Sequence, residues 1–212
     1  MIALLIGDSM ADGDTYHGSP VPLGGTPADT PRVWTGSVNQ WQPGDPHEGA
    51  HAAGSCGMFA AHALPGAYLY RAVTRNQSIA NLTATNSTVW QAVEDEVDAA
   101  GLRPTVAVIW HGTADAGSVT WDAYRYNLHV LHGKAEELGC KYFYVVKPIR
   151  GKGGASISDV REATEKYAAE SGAVLIDIDH LWLSEYLEPG GDFMSPLGYA
   201  AAGRAVRYAI GT

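Results

Sequence analysis

The stretch MIALLIGDSM, residues 1–10, decides the fold: an unbroken apolar run over residues 1–6 stops at Gly7-Asp8-Ser9-Met10. A short continuous apolar run that ends in a turn is typical of a strand buried on both faces of a parallel sheet. The run therefore predicts such a strand, with Ser9 on a strand-to-helix turn at its carboxyl end. Backbone N–H groups at that kind of turn can bind a developing oxyanion, although a Ser there is also a common helix N-cap.

The rest of the chain repeats this apolar pattern and alternates it with helical periodicity. Further strands are predicted at residues 67–73, 106–110, 142–146 and 173–178. Helices are predicted between and after them, at residues 88–100, 121–138, 158–171 and 197–210. Strands that alternate with helices require crossover connections. The predicted fold is therefore α/β, a three-layer α/β/α sandwich with a mainly parallel, flavodoxin-like sheet of about five strands.

Capping residues set the predicted helix ends. Thr88 opens a capping-box sequence, and Gly101 is placed to end the same helix. Thr120 is the predicted N-cap of the next helix, which Gly139 ends. Its inward face is predicted to carry five apolar residues, namely Tyr124, Leu128, Leu131, Ala135 and Leu138.

Length and charge restrict the classes of function. The 212 residues fit one domain, 1–212, with a long Gly- and Pro-rich loop insertion at about 12–57. The formal net charge is −9, and the 14 Lys and Arg residues are scattered. This distribution argues against nucleic acid and anionic membranes as partners. No apolar run approaches the roughly 20 residues of a membrane helix.

The chain carries no visible signals for export, disulfides or cofactors. Met1 leads straight into the first strand without a basic segment or cleavage site, so we expect a cytoplasmic or virion-associated protein. Cys56 and Cys140 are each interpreted as a buried free thiol. No metal or dinucleotide motif is present, so no cofactor and no metal are predicted.

Four blocks in order resemble those of the SGNH (GDSL-like) hydrolases. They are residues 7–10, the Gly-rich stretch 54–60, residues 112–115 and residues 192–196. The resemblance is nearest to the sialic-acid-acetylesterase-like carbohydrate esterases and extends over most of the chain. It implies that Ser9 is at the nucleophile position, that an oxyanion site is formed by backbone N–H groups of Ser9 and Gly54, and that the substrate is an O-acetylated sugar.

The third block departs from the family pattern. Where the family usually has an Asn that donates to the oxyanion, this chain has Ala114. His111 lies before Gly112, where relatives often carry a Gln, and its N–H could replace the missing donor. The alternative is a polar side chain that is satisfied at a strand end. Asp115 is predicted to contact the ligand.

The last block has lost its base. The family pattern Asp-x-x-His begins here with Asp192, but the His position holds Ser195, and a shifted alignment gives Phe193. Neither side chain can accept a proton near neutral pH. Ser195 followed by Pro196 is typical of an N-cap and the first residue of a helix, and we assign Ser195 that role.

Other imidazoles are candidates for a replacement base. His180 and His111 each follow a predicted strand, and the long loop also carries His residues at positions 17, 47 and 51. Those at positions 62, 129 and 132 lie on predicted helices and are poor candidates. The second-block glycine stays open among Gly54, Gly57 and a loop position near Asn76 or Asn81.

Two functions follow from these residues. In the first, the chain is an active serine esterase that removes O-acetyl groups from carbohydrate, with Ser9 as nucleophile and a non-standard His base. In the second, favoured here, it is a degenerate hydrolase with weak or no esterase activity that binds a glycan or a protein partner. The partner would belong to an assembly such as a phage particle. In either case Tyr16, Trp34 and Trp41 could stack on sugar rings.

Overall fold

The computed structural model describes residues 1–12, 33–35, 58–64, 67–74, 77–149, 157–183, 186–187 and 194–211. The strands are β1 (Ile2–Gly7), β2 (Val33–Thr35), β3 (Tyr68–Val73), β4 (Val106–Trp110), β5 (Tyr142–Val146) and β6 (Val174–Ile176). The helices are α1 (Ser9–Asp12), α2 (Met58–Ala63), α3 (Ala80–Thr83), α4 (Thr88–Ala100), α5 (Trp121–Leu138), α6 (Ile157–Ser171) and α7 (Pro196–Ile210), and a short 3₁₀ helix spans Asp179–Leu181.

All described strands pair in parallel, in the order β2-β3-β1-β4-β5-β6. The five strands predicted from the sequence form the flavodoxin-like part of this order, which confirms the predicted fold class. The sixth strand, β2, lies inside the long loop, where no strand was predicted. Its three residues are too few to show an alternating or continuous apolar pattern.

Two apolar layers cover the sheet. On one face, β1 residues such as Leu5 pack with α2 and α7, and these two helices contact each other extensively. On the other face, residues such as Ile6 pack with α4, α5 and α6. The inward face predicted for α5 is confirmed, since its five apolar residues are all buried. The fold is therefore the three-layer sandwich expected from the alternating pattern.

The helix caps agree with the sequence in all but one case. Thr120 caps α5 and Ser195 caps α7, each accepting a hydrogen bond from a backbone N–H three residues on. The prediction for α4 was wrong by one residue, because Ser87 and not Thr88 is the N-cap and accepts from Trp90 N at 3.3 Å. Both residues are hydroxyl-bearing, so the local sequence did not separate them.

Gly7 allows the chain to turn closely after β1. A Cβ atom on Gly7 would lie 2.1 Å from the Ala11 Cβ and 2.5 Å from the Trp110 carbonyl oxygen. Only a residue without a side chain lets α1 begin so close to β4. The turn that carries Ser9 is therefore fixed by steric exclusion at Gly7.

The Cys140 thiol is buried and free, as predicted. Burial raises its pKa to about 12. Cys56 lies outside the described residues. Among the helices described, none is both long and apolar enough to cross a bilayer.

Candidate functional site at the carboxyl edge of the sheet

The strand order brings three chain segments together at one edge. Strand β1 lies between β3 and β4, so the start of α1, the segment after β3 and the segment after β4 emerge side by side. Open α/β sheets bind ligands outside the carboxyl ends of their strands. The edge around residues 8–10, 77–79 and 111–115 is therefore the candidate site.

Asp8 connects the first and third blocks. Its Oδ2 accepts hydrogen bonds from the backbone N–H groups of Gly112, Thr113 and Ala114, at 3.1, 2.9 and 3.3 Å. Its Oδ1 accepts from the Met10 N–H at 2.9 Å. The carboxylate is fully buried, and these four donors compensate for its lost hydration. The N–H groups of the third block are thus turned toward Asp8.

The glycine of the third block is required by its backbone. Gly112 has a φ of +123°, in a region that residues with a side chain rarely adopt. A Cβ there would also lie 2.5 Å from the Val160 Cγ1 and 2.7 Å from the Tyr124 Oη. Gly112 thereby lets the loop after β4 fold down beside α5 and α6.

Asp115 was predicted to contact the ligand, but the structure places its carboxylate inside the protein. It is fully buried, and Oδ1 accepts from the Ser78 Oγ at 2.6 Å. The Ile79 N–H lies 3.1 Å from Oδ2. Asp115 therefore ties the segment after β3 to the loop after β4, and we assign it this positioning role. Sequence reasoning missed Ser78 as a site residue because no local motif marks it.

His111 lies between the two buried carboxylates. Its Nδ1 is 2.9 Å from the Asp115 Oδ2 and 3.9 Å from the Asp8 Oδ2, and the ring is buried. Neither ring nitrogen has a hydrogen-bond partner among the described residues, although Nδ1 lies within ion-pair distance of the Asp115 carboxylate. The predicted alternatives for His111 were an oxyanion donor, a base and a satisfied polar residue. Its burial beside two carboxylates favours a role inside the protein.

A tyrosine on α5 binds the backbone of His111. The Tyr124 hydroxyl donates to the His111 carbonyl oxygen at 2.8 Å. Burial raises the pKa of Tyr124 well above its ordinary value, and the nearby Asp115 and Asp8 raise it further. Tyr124 was predicted only as a core residue, and its hydroxyl has this second role because it reaches the strand end.

Ser195, the position where the resemblance implies a His, is the N-cap of α7. The Ser195 Oγ accepts from the Gly198 N–H at 3.2 Å, which confirms the predicted N-cap. The preceding Met194 is fully buried, and the Tyr199 hydroxyl lies 3.7 Å from the Met10 Sδ. The first turns of α7 therefore pack against α1 immediately next to Ser9.

His180 was the other predicted base. It is exposed on the 3₁₀ helix that follows β6. Strand β6 lies three positions from β1, and at about 4.8 Å per strand this separation is roughly 14 Å. His180 therefore follows the strand that is farthest from β1 in the described sheet.

Ion pairs that were not predicted from the sequence connect the end of β5, helix α6 and the segment after β6. The Lys147 Nζ lies 2.6 Å from the Glu165 Oε1 and 2.9 Å from the Asp177 Oδ2. Arg161 binds both carboxylate oxygens of Asp179 and the Pro148 carbonyl oxygen. Burial lowers the pKa of Lys147, but the hydrogen bonds to Glu165 and Asp177 outweigh it, and the net shift is upward.

Several predicted site residues lie outside the described residues, so they remain predictions. They are Tyr16, Trp41, Gly54, Gly57, Asn76, Asp192, Phe193 and the histidines at 17, 47 and 51. The backbone of Trp34 is described as part of β2, which is next to β3 in the sheet. The described segment after β3 is bound to the third block through Ser78 and Ile79, and the identity of the second-block glycine stays a prediction.

No family model and no curated protein matches the sequence. Solved structures do match it over nearly the full chain. A lipase/acylhydrolase from Enterococcus faecalis is 15% identical with a TM-score of 0.60, covering 99% of this chain and 95% of that one. A carbohydrate acetylesterase from Sinorhizobium meliloti is 14% identical with a TM-score of 0.57, covering 99% and 97%.

A third structure comes from Desulfitobacterium hafniense and is assigned to the G-D-S-L family of lipolytic proteins. It is 17% identical with a TM-score of 0.61, covering 97% of each chain. At these identities the likeness concerns the fold. Together with the sheet order and the Asp8 turn, it shows that this chain has the SGNH-hydrolase fold, as the resemblance implied.

Proposed function

We propose that this chain is a degenerate SGNH-fold protein, with weak or no esterase activity, that binds an acylated glycan at the carboxyl edge of its sheet. The observation that carries the proposal is the role of Ser195. At the position where the family has its base, the Oγ of Ser195 accepts a hydrogen bond from the Gly198 N–H. A Ser hydroxyl is a poor nucleophile without an adjacent base.

The oxyanion side supports the same proposal. Ala114 has no side-chain donor, and its backbone N–H is directed to Asp8. Loss of one oxyanion donor typically lowers the rate by roughly a hundred- to a thousandfold. Loss of a general base costs roughly another hundred- to ten-thousandfold. Two such losses leave the geometry of a binding site without the groups that drive acyl transfer.

The proposed ligand follows from the aromatic residues and from the structural neighbours. One structural neighbour is a carbohydrate acetylesterase and another a lipase/acylhydrolase, so an ester-bearing sugar is the ligand class we propose. Tyr16, Trp34 and Trp41 are the proposed stacking residues, since aromatic rings pack on the apolar faces of sugars. A protein partner in an assembly such as a phage particle is the other occupant to be tested.

The catalytic half of the proposal is tested with a small activated acetyl ester. We expect wild type and Ser9→Ala to hydrolyse it at the same slow rate. The variant Ala114→Asn/Ser195→His restores both family groups, and we expect it to gain at least tenfold in rate, with the gain lost when Ser9→Ala is added. Ser87→His, a substitution at another N-cap Ser, is the matched control and should gain nothing.

The proposal is overturned if wild type already hydrolyses the ester rapidly and Ser9→Ala abolishes that activity. The binding half is tested separately with an array of O-acetylated and de-acetylated glycans. Binding that needs the acetyl group and survives in wild type without release of acetate supports the proposal. Equal binding to both forms, or none, argues against an acylated glycan and favours the protein partner.

A working esterase is the second candidate, and one observation favours it. The His111 Nδ1 is 2.9 Å from the Asp115 Oδ2, and a carboxylate beside an imidazole is the arrangement that orients a catalytic base. In that case His111→Gln would abolish the same Ser9-dependent hydrolysis that Ser9→Ala abolishes. If wild-type hydrolysis does not depend on Ser9, this candidate fails.

A further inference from the structure

Two carboxylates and one imidazole are enclosed behind the candidate site. The side chains of Asp8, Asp115 and His111 are all 0% exposed. Asp8 belongs to the turn after β1, while Asp115 and His111 belong to the loop after β4. Asp115 also holds Ser78 and Ile79 of the segment after β3. The cluster therefore joins the three chain segments that form the edge.

The two carboxylates are hydrogen-bonded, but their charge still needs compensation. Transfer of an ionised carboxylate out of water is costly unless it is paired. On the neighbouring β5 end and α6, the cations Lys147 and Arg161 are bound to Glu165, Asp177 and Asp179.

The α5 residue that contacts this cluster is Tyr124, whose neutral hydroxyl donates a hydrogen bond to the His111 carbonyl oxygen. Within the described part of the chain, His111 is the ionisable side chain that lies within 4.0 Å of both Asp8 and Asp115.

We propose that His111 is a positioning residue whose imidazolium bridges Asp115 and Asp8 and so holds the loops after β1, β3 and β4 in one arrangement. The contact geometry fits an ion pair. Nδ1 lies 2.9 Å from the Asp115 Oδ2 and 3.9 Å from the Asp8 Oδ2, and it has no hydrogen-bond partner in the part of the chain that the structure describes. Coulomb attraction needs only the short distance, and it is strong where water is excluded.

If His111 bridges the two carboxylates, the stability of this edge of the protein depends on pH. A Coulombic bridge requires the positive charge of a protonated imidazole, so the proposal predicts a contribution to stability that depends on pH. Without the positive charge, Asp8 and Asp115 repel each other in a region of low dielectric constant. A residue that only filled the space would contribute equally at every pH.

The first test compares thermal unfolding of wild type and His111→Gln between pH 5.5 and 8.5. Gln has a similar length and can donate a hydrogen bond, but it carries no charge. We expect wild type to unfold about 3–6 °C higher at pH 5.5, and this difference to fall by at least half at pH 8.5. A difference that is constant across this range overturns the proposal.

His129→Gln is the matched control. His129 is 39% exposed and its Nε2 lies 3.1 Å from the Glu170 Oε2, so it is also an imidazole beside a carboxylate, but in water. We expect it to change the unfolding temperature by less than about 2 °C, because exposed ion pairs contribute little. A larger pH-dependent effect in this control than in His111→Gln would also overturn the proposal.

The second test needs no substitution and covers the case in which His111→Gln does not fold. Nitrogen chemical shifts of the imidazoles in ¹⁵N-labelled wild type report whether each ring is charged. The His111 signals can be assigned from through-space contacts to Tyr124 and Asp115. We expect both ring nitrogens to be protonated at pH 5.5, and a neutral ring there refutes the bridge. Neither test uses a ligand, so both are independent of the proposed function.

Discussion

The Asp8 carboxylate and the Ala114 backbone N–H lie 3.3 Å apart and form a hydrogen bond across 106 residues of chain. This contact joins the turn after β1 to the loop after β4, two segments that meet only because their strands are neighbours in the sheet. The Gly112 and Thr113 N–H groups share the same carboxylate oxygen. Asp8 therefore organises the candidate site from the inside, one residue before Ser9.

Asp8→Asn should destabilise the protein by about 2 kcal/mol, since bonds to charged groups contribute roughly 1.5–3 kcal/mol each. In one amide orientation the NH₂ group faces the three N–H donors of the third block, and in the other it faces the Met10 N–H. In either orientation the amide NH₂ group therefore faces at least one backbone N–H donor that it cannot accept from. Urea unfolding measures the loss. Asp98→Asn, at a side chain that is 75% exposed, is the control and should stay within about 0.5 kcal/mol of wild type.

Gly7→Ala should destabilise by roughly 3 kcal/mol or more, because the new Cβ conflicts with the Ala11 Cβ and with the Trp110 carbonyl oxygen. Gly133→Ala is the opposite case. A Cβ at Gly133, inside α5, meets nothing within 4 Å, so we expect about 0.5–1 kcal/mol of stabilisation. Chemical denaturation of both variants measures the two changes in the free energy of unfolding. Equal effects of the two substitutions would contradict the close approach at Gly7.

Asp177→Asn should lower stability at pH 7 by at most about 1 kcal/mol, since its side chain is 49% exposed and solvent screens the pair with Lys147. Burial raises the pKa of Asp177, but hydrogen bonds from the Asp179 N–H and Lys147 outweigh it and the net shift is downward. The contribution is therefore present above the ordinary pKa of 3.8 and is lost as pH falls through the folded value.

The measurement for Asp177→Asn is the unfolding temperature of both proteins at pH 7 and at pH 3. The difference between them should shrink as the pH is lowered, because acid progressively protonates the carboxylate of wild type. A difference that grew on acidification would show that the downward shift of the Asp177 pKa is wrong.

The Cys140 thiol should be inert in the native state. A pKa of about 12 leaves only about one thiol in ten thousand ionised at pH 8, and the thiolate is the reactive form. In a Cys56→Ser variant, we expect a thiol reagent to react no faster than the protein unfolds. In denaturant the same sample should titrate one thiol. Rapid reaction of the native variant would place Cys140 nearer the surface than its 4% exposure.

Much of the fold could be predicted because its signals are local. Buried parallel strands are continuous apolar runs, and the bounds predicted for β4, β5, α4 and α5 match the structure. β2 was missed because three residues carry no period. The cap of α4 was misplaced by one residue because Ser87 and Thr88 are chemically equivalent signals.

The site was only partly predictable, because it consists of contacts between distant segments. The sequence indicated Ser195 as a cap, since a Ser before Pro196 is a local signal. It also marked Asp115, but as a ligand contact, whereas the structure turns its carboxylate toward Ser78 and Ile79. The partner of a buried carboxylate can lie anywhere in the chain, and spacing along the sequence does not reveal it.

By itself, then, the sequence determined most of the strand and helix elements, the parallel sheet and the helix cap at Ser195. These depend on residue type and on short-range periodicity. Only the tertiary structure decided that Asp8, His111 and Asp115 share one water-excluded cluster. This clustering depends on strand order, because β3, β1 and β4 lie side by side and bring residues that are distant in the sequence into contact.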